Sequence, residues 1–215
     1  MSWSNLMRAS GIAAVAAGTL FVVADLLDLL AARSGNFSTS EGTAPGVLIV
    51  VQSGLTLLAG VLLLFGLVGL YANRFEETGL LGLFGFVMAF SGTVMAVGAF
   101  WGNASVAPSL AHALVVETSS LMEATPPRAL SAGFTLSYGL VAAGWFAFGL
   151  GTLISRVYPR FPVALLVVGA AVTWLPYPLT GVPFGAAVIW LGCVLPSAGS
   201  PGSDELAAGK YSTLG

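Results

Sequence analysis

Long apolar segments separated by short polar loops constrain this sequence more than any motif in it. A helix rises about 1.5 Å per residue, so it needs about 20 apolar residues to cross a bilayer core roughly 30 Å thick. Six segments reach or approach that length: residues 11–32, 47–72, 79–102, 129–155, 163–179 and 182–194. The first is too long for a typical signal-peptide core and is counted as a span.

The composition excludes an ordinary soluble domain. Hydrophobic residues make up 57% of the chain and charged residues 7%, against roughly 25% charged residues in soluble proteins. We therefore predict an all-α, polytopic transmembrane helical bundle of about six spans over residues 1–196, followed by a flexible polar tail at residues 197–215. The last two segments are short and rich in proline, so a broken hairpin that reaches only partway through is the alternative.

Several functional classes are excluded by what the chain lacks. The net charge of −2 provides no basic stripe, so nucleic acid is not an expected partner. The single Cys193 cannot form an internal disulfide, and His112 alone cannot build a multi-histidine haem or zinc site within one chain. Lys210, the one lysine, lies in the tail, which excludes a retinal Schiff base. The sequence thus predicts no particular cofactor and no metal.

The basic residues predict the orientation in the membrane. Loops on the cytoplasmic side carry an excess of Lys and Arg. With the N-terminus inside, two arginines lie outside, Arg33 and Arg128, and five basic residues lie inside: Arg8, Arg74, Arg156, Arg160 and Lys210. We therefore expect a multi-pass protein of the inner (plasma) membrane with both termini in the cytoplasm.

Residues 103–128 form the longest loop, on the expected outer side. Within it, apolar residues recur near helical spacing at Leu110, Leu114, Leu121 and Met122. This pattern predicts an amphipathic helix lying on the outer surface between spans three and four. Such a helix either covers the mouth of a cavity between the spans or serves as an ordinary interfacial connector.

Two carboxylates, Asp25 and Asp28, interrupt the first apolar segment in the run FVVADLLDLLAA. Their spacing of three places both on one face of a helix. Because a charge at membrane depth is costly, three interpretations follow. Arg128 or Arg33 pairs with one of them, or one stays protonated and serves proton transfer, or both side chains simply reach the headgroups.

The candidate catalytic residues are acids and one imidazole on the expected outer side: Asp25, Asp28, His112 and Glu117. Glu123 lies near them in the sequence. Carboxylates and an imidazole can hold a divalent cation, but no ligand spacing here is diagnostic of a metal site.

Packing signals are also present. Gly98-x-x-x-Gly102 and Gly181-x-x-x-Gly185 permit close helix contact in a compact bundle or at a dimer face. Trp145 lies toward the middle of its span, where it either packs in the core or contacts an apolar ligand.

The stretch GLVGLYANRFEETGLLGLFGFVMAFSGTVMAVG, together with GIAAVAAGTLFVVADLL, resembles six-span membrane proteins of unknown function from actinobacteria and related bacteria. The resemblance covers most of the chain through Gly/Leu patterns. It implies a bacterial inner membrane and no known reaction, and no catalytic residue carries over from it.

These observations favour a small, non-catalytic integral membrane protein. It would bind an apolar ligand or a partner chain between its spans, or act as an accessory subunit. The expected partners are the lipid bilayer, an apolar small molecule, and a second copy or a larger membrane complex. The alternatives are a membrane-embedded enzyme acting on a lipid or isoprenoid, with Asp25 as acid assisted by Glu117 or His112, and a proton-coupled carrier.

Overall fold

The structure, a computed structural model, describes residues 3–33, 43–73, 75–101, 128–156, 158–173 and 179–195. Every regular element within these ranges is a helix, which confirms the predicted all-α class. In chain order the helices are α1 (Trp3–Arg33), α2 (Thr43–Asn73), α3 (Phe75–Trp101), α4 (Arg128–Ser155), α5 (Arg160–Val172) and α6 (Gly181–Val194).

Four of these helices contain stretches long and apolar enough to span a membrane. The stretches are Asn5–Leu30, Val51–Asn73, Glu77–Trp101 and Thr135–Ser155. Helices α5 and α6 have 13 and 14 residues, so each is only about 20 Å long, shorter than the roughly 30 Å core of a bilayer. The described helices therefore support four of the predicted spans, and six spans stay a prediction.

Two predicted features lie outside the described residues. One is the amphipathic helix within residues 103–128, where the described structure resumes only at Arg128. This loop also carries His112, Glu117 and Glu123. The other is the tail at residues 197–215.

The six helices form a closed ring. Each packs mainly against its neighbours in the sequence, and α6 returns to pack along α1. The interface between α3 and α4 is the most extensive, and that between α1 and α6 closes the ring. The interior of the ring is a cluster of buried apolar side chains that includes Leu67, Trp145, Phe148, Leu166 and Leu191.

Glycines bring the backbones of α1 and α6 into contact where the ring closes. Gly11 and Gly18 are seven residues apart on α1, as are Gly185 and Gly192 on α6, so each pair lies on one helix face. A Cβ atom at Gly18 would lie 2.5 Å from the backbone oxygen of Gly185, and one at Gly192 would lie 2.8 Å from that of Gly11. These four glycines define the closing seam.

The same spacing recurs between α3 and α4. Gly85 and Gly92 lie seven residues apart on α3, and Gly144 and Gly151 on α4. A Cβ atom at Gly151 would lie 3.0 Å from the backbone nitrogen of Gly82 on α3. Gly98, by contrast, has no atom within 4 Å of its Cβ position, so it takes no part in a contact between the described helices.

One end of the ring is held by a buried tyrosine after α4. The hydroxyl of Tyr158 donates to the backbone oxygen of Leu70 at 3.1 Å and accepts from the side-chain nitrogen of Asn73 at 3.3 Å. These bonds tie the turn between α4 and α5 to the last turn of α2. Three basic residues lie at this end of the ring: Arg8, Arg156 and Arg160. We name it the Arg8 end and the opposite one the Asp28 end.

Substitution of Gly18 by leucine is expected to lower the stability of the bundle by about 1–3 kcal/mol, because the side chain has no room against the backbone of Gly185. Thermal unfolding of the purified protein in detergent micelles measures this loss. Gly98→Leu is the matched control, since its site is open and exposed, and its effect should stay within about 0.5 kcal/mol. Equal losses for the two variants would contradict a structural role for the closing seam.

Candidate functional site

A cavity of about 250 Å³ lies inside the ring toward the Asp28 end. Each of the six helices contributes to its wall. Most lining side chains are apolar or aromatic, and several polar residues are set among them. A concave, largely apolar site with a few placed polar groups is the usual form of a small-molecule site.

The floor of the cavity is built around Trp145 of α4. Its indole ring is fully buried and lies edge-to-face against Phe184, with ring centroids 5.2 Å apart, and against Phe148 at 6.0 Å. The indole nitrogen donates to the hydroxyl of Thr93 at 3.3 Å. Trp145 therefore packs in the core and also lines the cavity, and its contact with an apolar ligand stays a prediction.

Beyond the floor the ring is filled with apolar side chains. Leu67, Leu166 and Leu191 are fully buried there. Each lies about one or two helical turns closer to the Arg8 end than the nearest cavity-lining residue of its own helix. The cavity is thus closed by packing on that side. It occupies only one half of the bundle.

Two threonines of the wall, Thr56 and Thr93, are satisfied by their own helices. The hydroxyl of Thr56 donates to the backbone oxygen of Gln52 at 2.9 Å, and that of Thr93 to the backbone oxygen of Ala89 at 2.6 Å. Because these hydroxyl protons are already engaged, the middle of the cavity offers a ligand mainly apolar surface. The polar character is concentrated at the Asp28 end.

Asp25 binds the start of α6. One carboxylate oxygen accepts a hydrogen bond from the backbone nitrogen of Gly181 at 2.7 Å. Gly181 is the first residue of α6, where backbone N–H groups lack helical partners and carry partial positive charge. A Cβ atom on Gly181 would lie 2.7 Å from the same carboxylate oxygen, so glycine permits this approach. We call this contact the Asp25 clasp.

The clasp lies at membrane depth. The middle of Asn5–Leu30 falls between residues 17 and 18, which places Asp25 about 11 Å and Asp28 about 16 Å from it along the helix. With a core half-thickness of about 15 Å, Asp25 is inside the apolar layer and Asp28 is at its boundary.

The described partner of Asp25 is a backbone group, and pairing of Asp25 or Asp28 with Arg33 or Arg128 stays a prediction. The side chains of Arg33 and Arg128 lie outside the described residues. The observed partner is the N-terminus of α6. Its one sequence signal is Pro183, because proline is favoured in the first turn of a helix and so marks a helix start.

Asp28 also lines the cavity, where it is partly buried. No described side chain or backbone group donates a hydrogen bond to its carboxylate. Phe100 and Tyr138 line the same end, with their rings edge-to-face at 6.2 Å, and Tyr138 lies within electrostatic range of Asp28. Asp25 and Asp28 are therefore brought together on one wall, with different surroundings.

The remaining candidates, His112 and Glu117, lie outside the described residues. Among the residues that the structure does describe, no three His, Cys, Asp or Glu side chains are grouped so that they could hold a metal ion. The chemistry of the described site is that of an apolar cavity with one carboxylate held by a helix start and a second at the rim.

Asp25→Ala is expected to lower stability by about 1–3 kcal/mol, because it leaves the N–H of Gly181 unpaired inside the apolar layer. Asp25→Asn keeps an acceptor oxygen and should lose less. Thermal unfolding in detergent gives both values, and Asp28→Ala is the control, with an expected change within about 0.5 kcal/mol. If the asparagine variant were as unstable as the alanine variant, the clasp would not be the source of the stability.

Comparison of this chain with protein-family models, with curated proteins and with solved structures finds no match. The resemblance to six-span actinobacterial proteins stays a prediction.

Proposed function

We propose that this chain is a non-catalytic membrane protein that binds an apolar small molecule in the cavity at the centre of its helical ring. The observation that carries this proposal is the cavity itself, with walls from six helices and a floor of aromatic rings. A cavity of about 150 Å³ binds benzene, so about 250 Å³ has room for about ten non-hydrogen atoms.

The depth of the cavity supports an apolar ligand. Trp145 is the midpoint of the span Thr135–Ser155, whereas Asp28 lies at the boundary of the apolar layer. The cavity therefore extends from the middle of the bundle toward one membrane surface. A slender molecule of about ten atoms fits this depth and gains dispersion contacts with the buried rings.

The two alternatives receive less support. Asp25, the acid proposed for an enzyme, has one carboxylate oxygen engaged by the start of α6. A carrier must also open its site toward the Arg8 end, and no second conformation with that opening supports this alternative. A binding role requires neither a free acid nor a second opening.

The arrangement of basic residues supports the proposed orientation. Arg8, Arg156 and Arg160 lie at one end of the ring, as the excess of basic residues on a cytoplasmic face requires. We therefore place both termini in the cytoplasm of a bacterial cell, with the cavity in the outer half of the inner membrane. A second copy or a larger membrane complex stays a proposed partner.

Filling the cavity should abolish ligand binding. Ala142 lines the cavity, and its neighbour Ala143 is exposed on the outside of α4. We expect 8-fluorooctan-1-ol, which has ten non-hydrogen atoms, to bind the wild type with a Kd near 1 mM, as suits a ligand of about −0.4 kcal/mol per atom. The Ala142→Phe variant should show no binding, because the ring occupies the same space.

Fluorine NMR of the protein in phosphatidylcholine nanodiscs measures this binding through a protein-dependent resonance shifted by the aromatic rings. Protein-free nanodiscs correct for partition into lipid, and Ala143→Phe adds the same side chain outside the cavity. Binding that is lost equally in both variants, or kept in both, would refute the cavity as the binding site.

The orientation is testable with reporters fused after Gly215. Green fluorescent protein should be fluorescent at that position in bacteria, and alkaline phosphatase should be inactive, because the first folds in the cytoplasm and the second requires the periplasm. The opposite pattern would place the C-terminus outside.

A further inference from the structure

We infer that the cavity selects ligands that carry a positive charge, with a primary ammonium group held at Asp28 and an apolar chain directed toward Trp145. This inference rests on the proposed binding function and adds the chemical class of the ligand. It follows from the charges, the aromatic rings and the depth of the site.

The two carboxylates on the cavity wall differ in whether the protein compensates their charge. The charge of Asp25 is met by the N–H group of Gly181 at the positive end of α6. Asp28 receives no hydrogen bond from any described group, although it lines the same cavity. One negative charge is thus compensated by the fold, and the other faces the ligand space.

The described basic side chains lie far from Asp28. The described arginine side chains belong to Arg8, Arg156 and Arg160, all at the opposite end of the ring. Arg8 is 20 residues before Asp28 on α1, a distance of about 30 Å along the helix. None of these three can pair with Asp28, and the side chains of Arg33 and Arg128 lie outside the described residues.

Aromatic rings line the cavity at the Asp28 end. Phe100 and Tyr138 line the cavity beside Asp28, and Tyr138 adds a hydroxyl oxygen that can accept a hydrogen bond. Aromatic faces attract ammonium groups, and an ammonium donating to a carboxylate forms a charge-assisted hydrogen bond. Both contributions favour a cation over a neutral group of the same size.

Depth makes the arrangement suitable for an amphiphile. Asp28 lies at the boundary of the apolar layer, where a charged head can keep part of its hydration. The floor at Trp145 is near the middle of its span, where only an apolar group is stable. A linear amine with its chain toward the floor matches both environments.

Two probes with identical chains test the inference: 8-fluorooctylamine, which is protonated at neutral pH, and 8-fluorooctan-1-ol. Binding to the purified protein in phosphatidylcholine nanodiscs is followed by fluorine NMR, with protein-free nanodiscs as the reference. We expect the amine to bind about tenfold more tightly than the alcohol, and 8-fluorooctanoate to bind more weakly than either.

Variants of Asp28 assign the selectivity. Asp28→Asn should bring the amine-to-alcohol affinity ratio close to one, and Asp28→Glu, which restores the charge, should recover most of the ratio. Glu77→Gln removes a carboxylate from α3 near the Arg8 end and should leave the ratio unchanged. Thermal unfolding of each variant verifies that it is folded.

The outcomes separate the two proposals. If the alcohol binds and the amine binds no more tightly, charge selection is wrong and the proposed binding function stands. If neither probe binds, both proposals fail. A tenfold preference that survives Asp28→Asn would also overturn the inference, because the selectivity would then arise from another group.

Discussion

The structure depends on close backbone contact between α1 and α6, the first and last helices of the ring. In lipid, apolar side chains gain little by leaving the bilayer for each other, so helix association relies on packing and hydrogen bonds. At the closing seam, Gly18 and Gly185 allow α1 and α6 to approach within van der Waals contact. Asp25 adds a hydrogen bond across the same pair of helices. Without this closure the six helices would form an open sheet of helices, and the central cavity would not exist.

Two aspartates of the same segment have different physical roles. Asp25 lies deeper, and the N-terminus of α6 begins at the same depth and compensates its charge. Asp28, one turn farther along, lies at the rim of the cavity beside aromatic rings. The difference arises from where α6 starts rather than from α1 itself. A single helical turn therefore separates the carboxylate that stabilises the fold from the one that is available to a ligand.

The length of the apolar segments predicted an all-helical fold of about six spans, because bilayer thickness fixes the required length, and the described helices support four of those spans. The heptad spacing of Gly11, Gly18, Gly185 and Gly192 is visible in the sequence, but its meaning requires the topology that makes α1 and α6 neighbours. The partner of Asp25 was missed for a similar reason, since Pro183 marks a helix start but does not show which side chain that start meets. The cavity was not predictable either, because packing around Trp145 depends on rotamers from several helices.

The shortness of α5 and α6 has a consequence for the surrounding lipid. On the side formed by α1 to α4 the helices match or exceed the hydrocarbon thickness, whereas α5 and α6 fall short of it by about 10 Å. Hydrophobic mismatch costs fractions of a kcal/mol per Å, so lipids beside the short pair tend to thin or tilt to meet it. Because Thr173 and Thr180, at the ends of these helices, line the cavity, we expect a change in bilayer thickness to shift its wall.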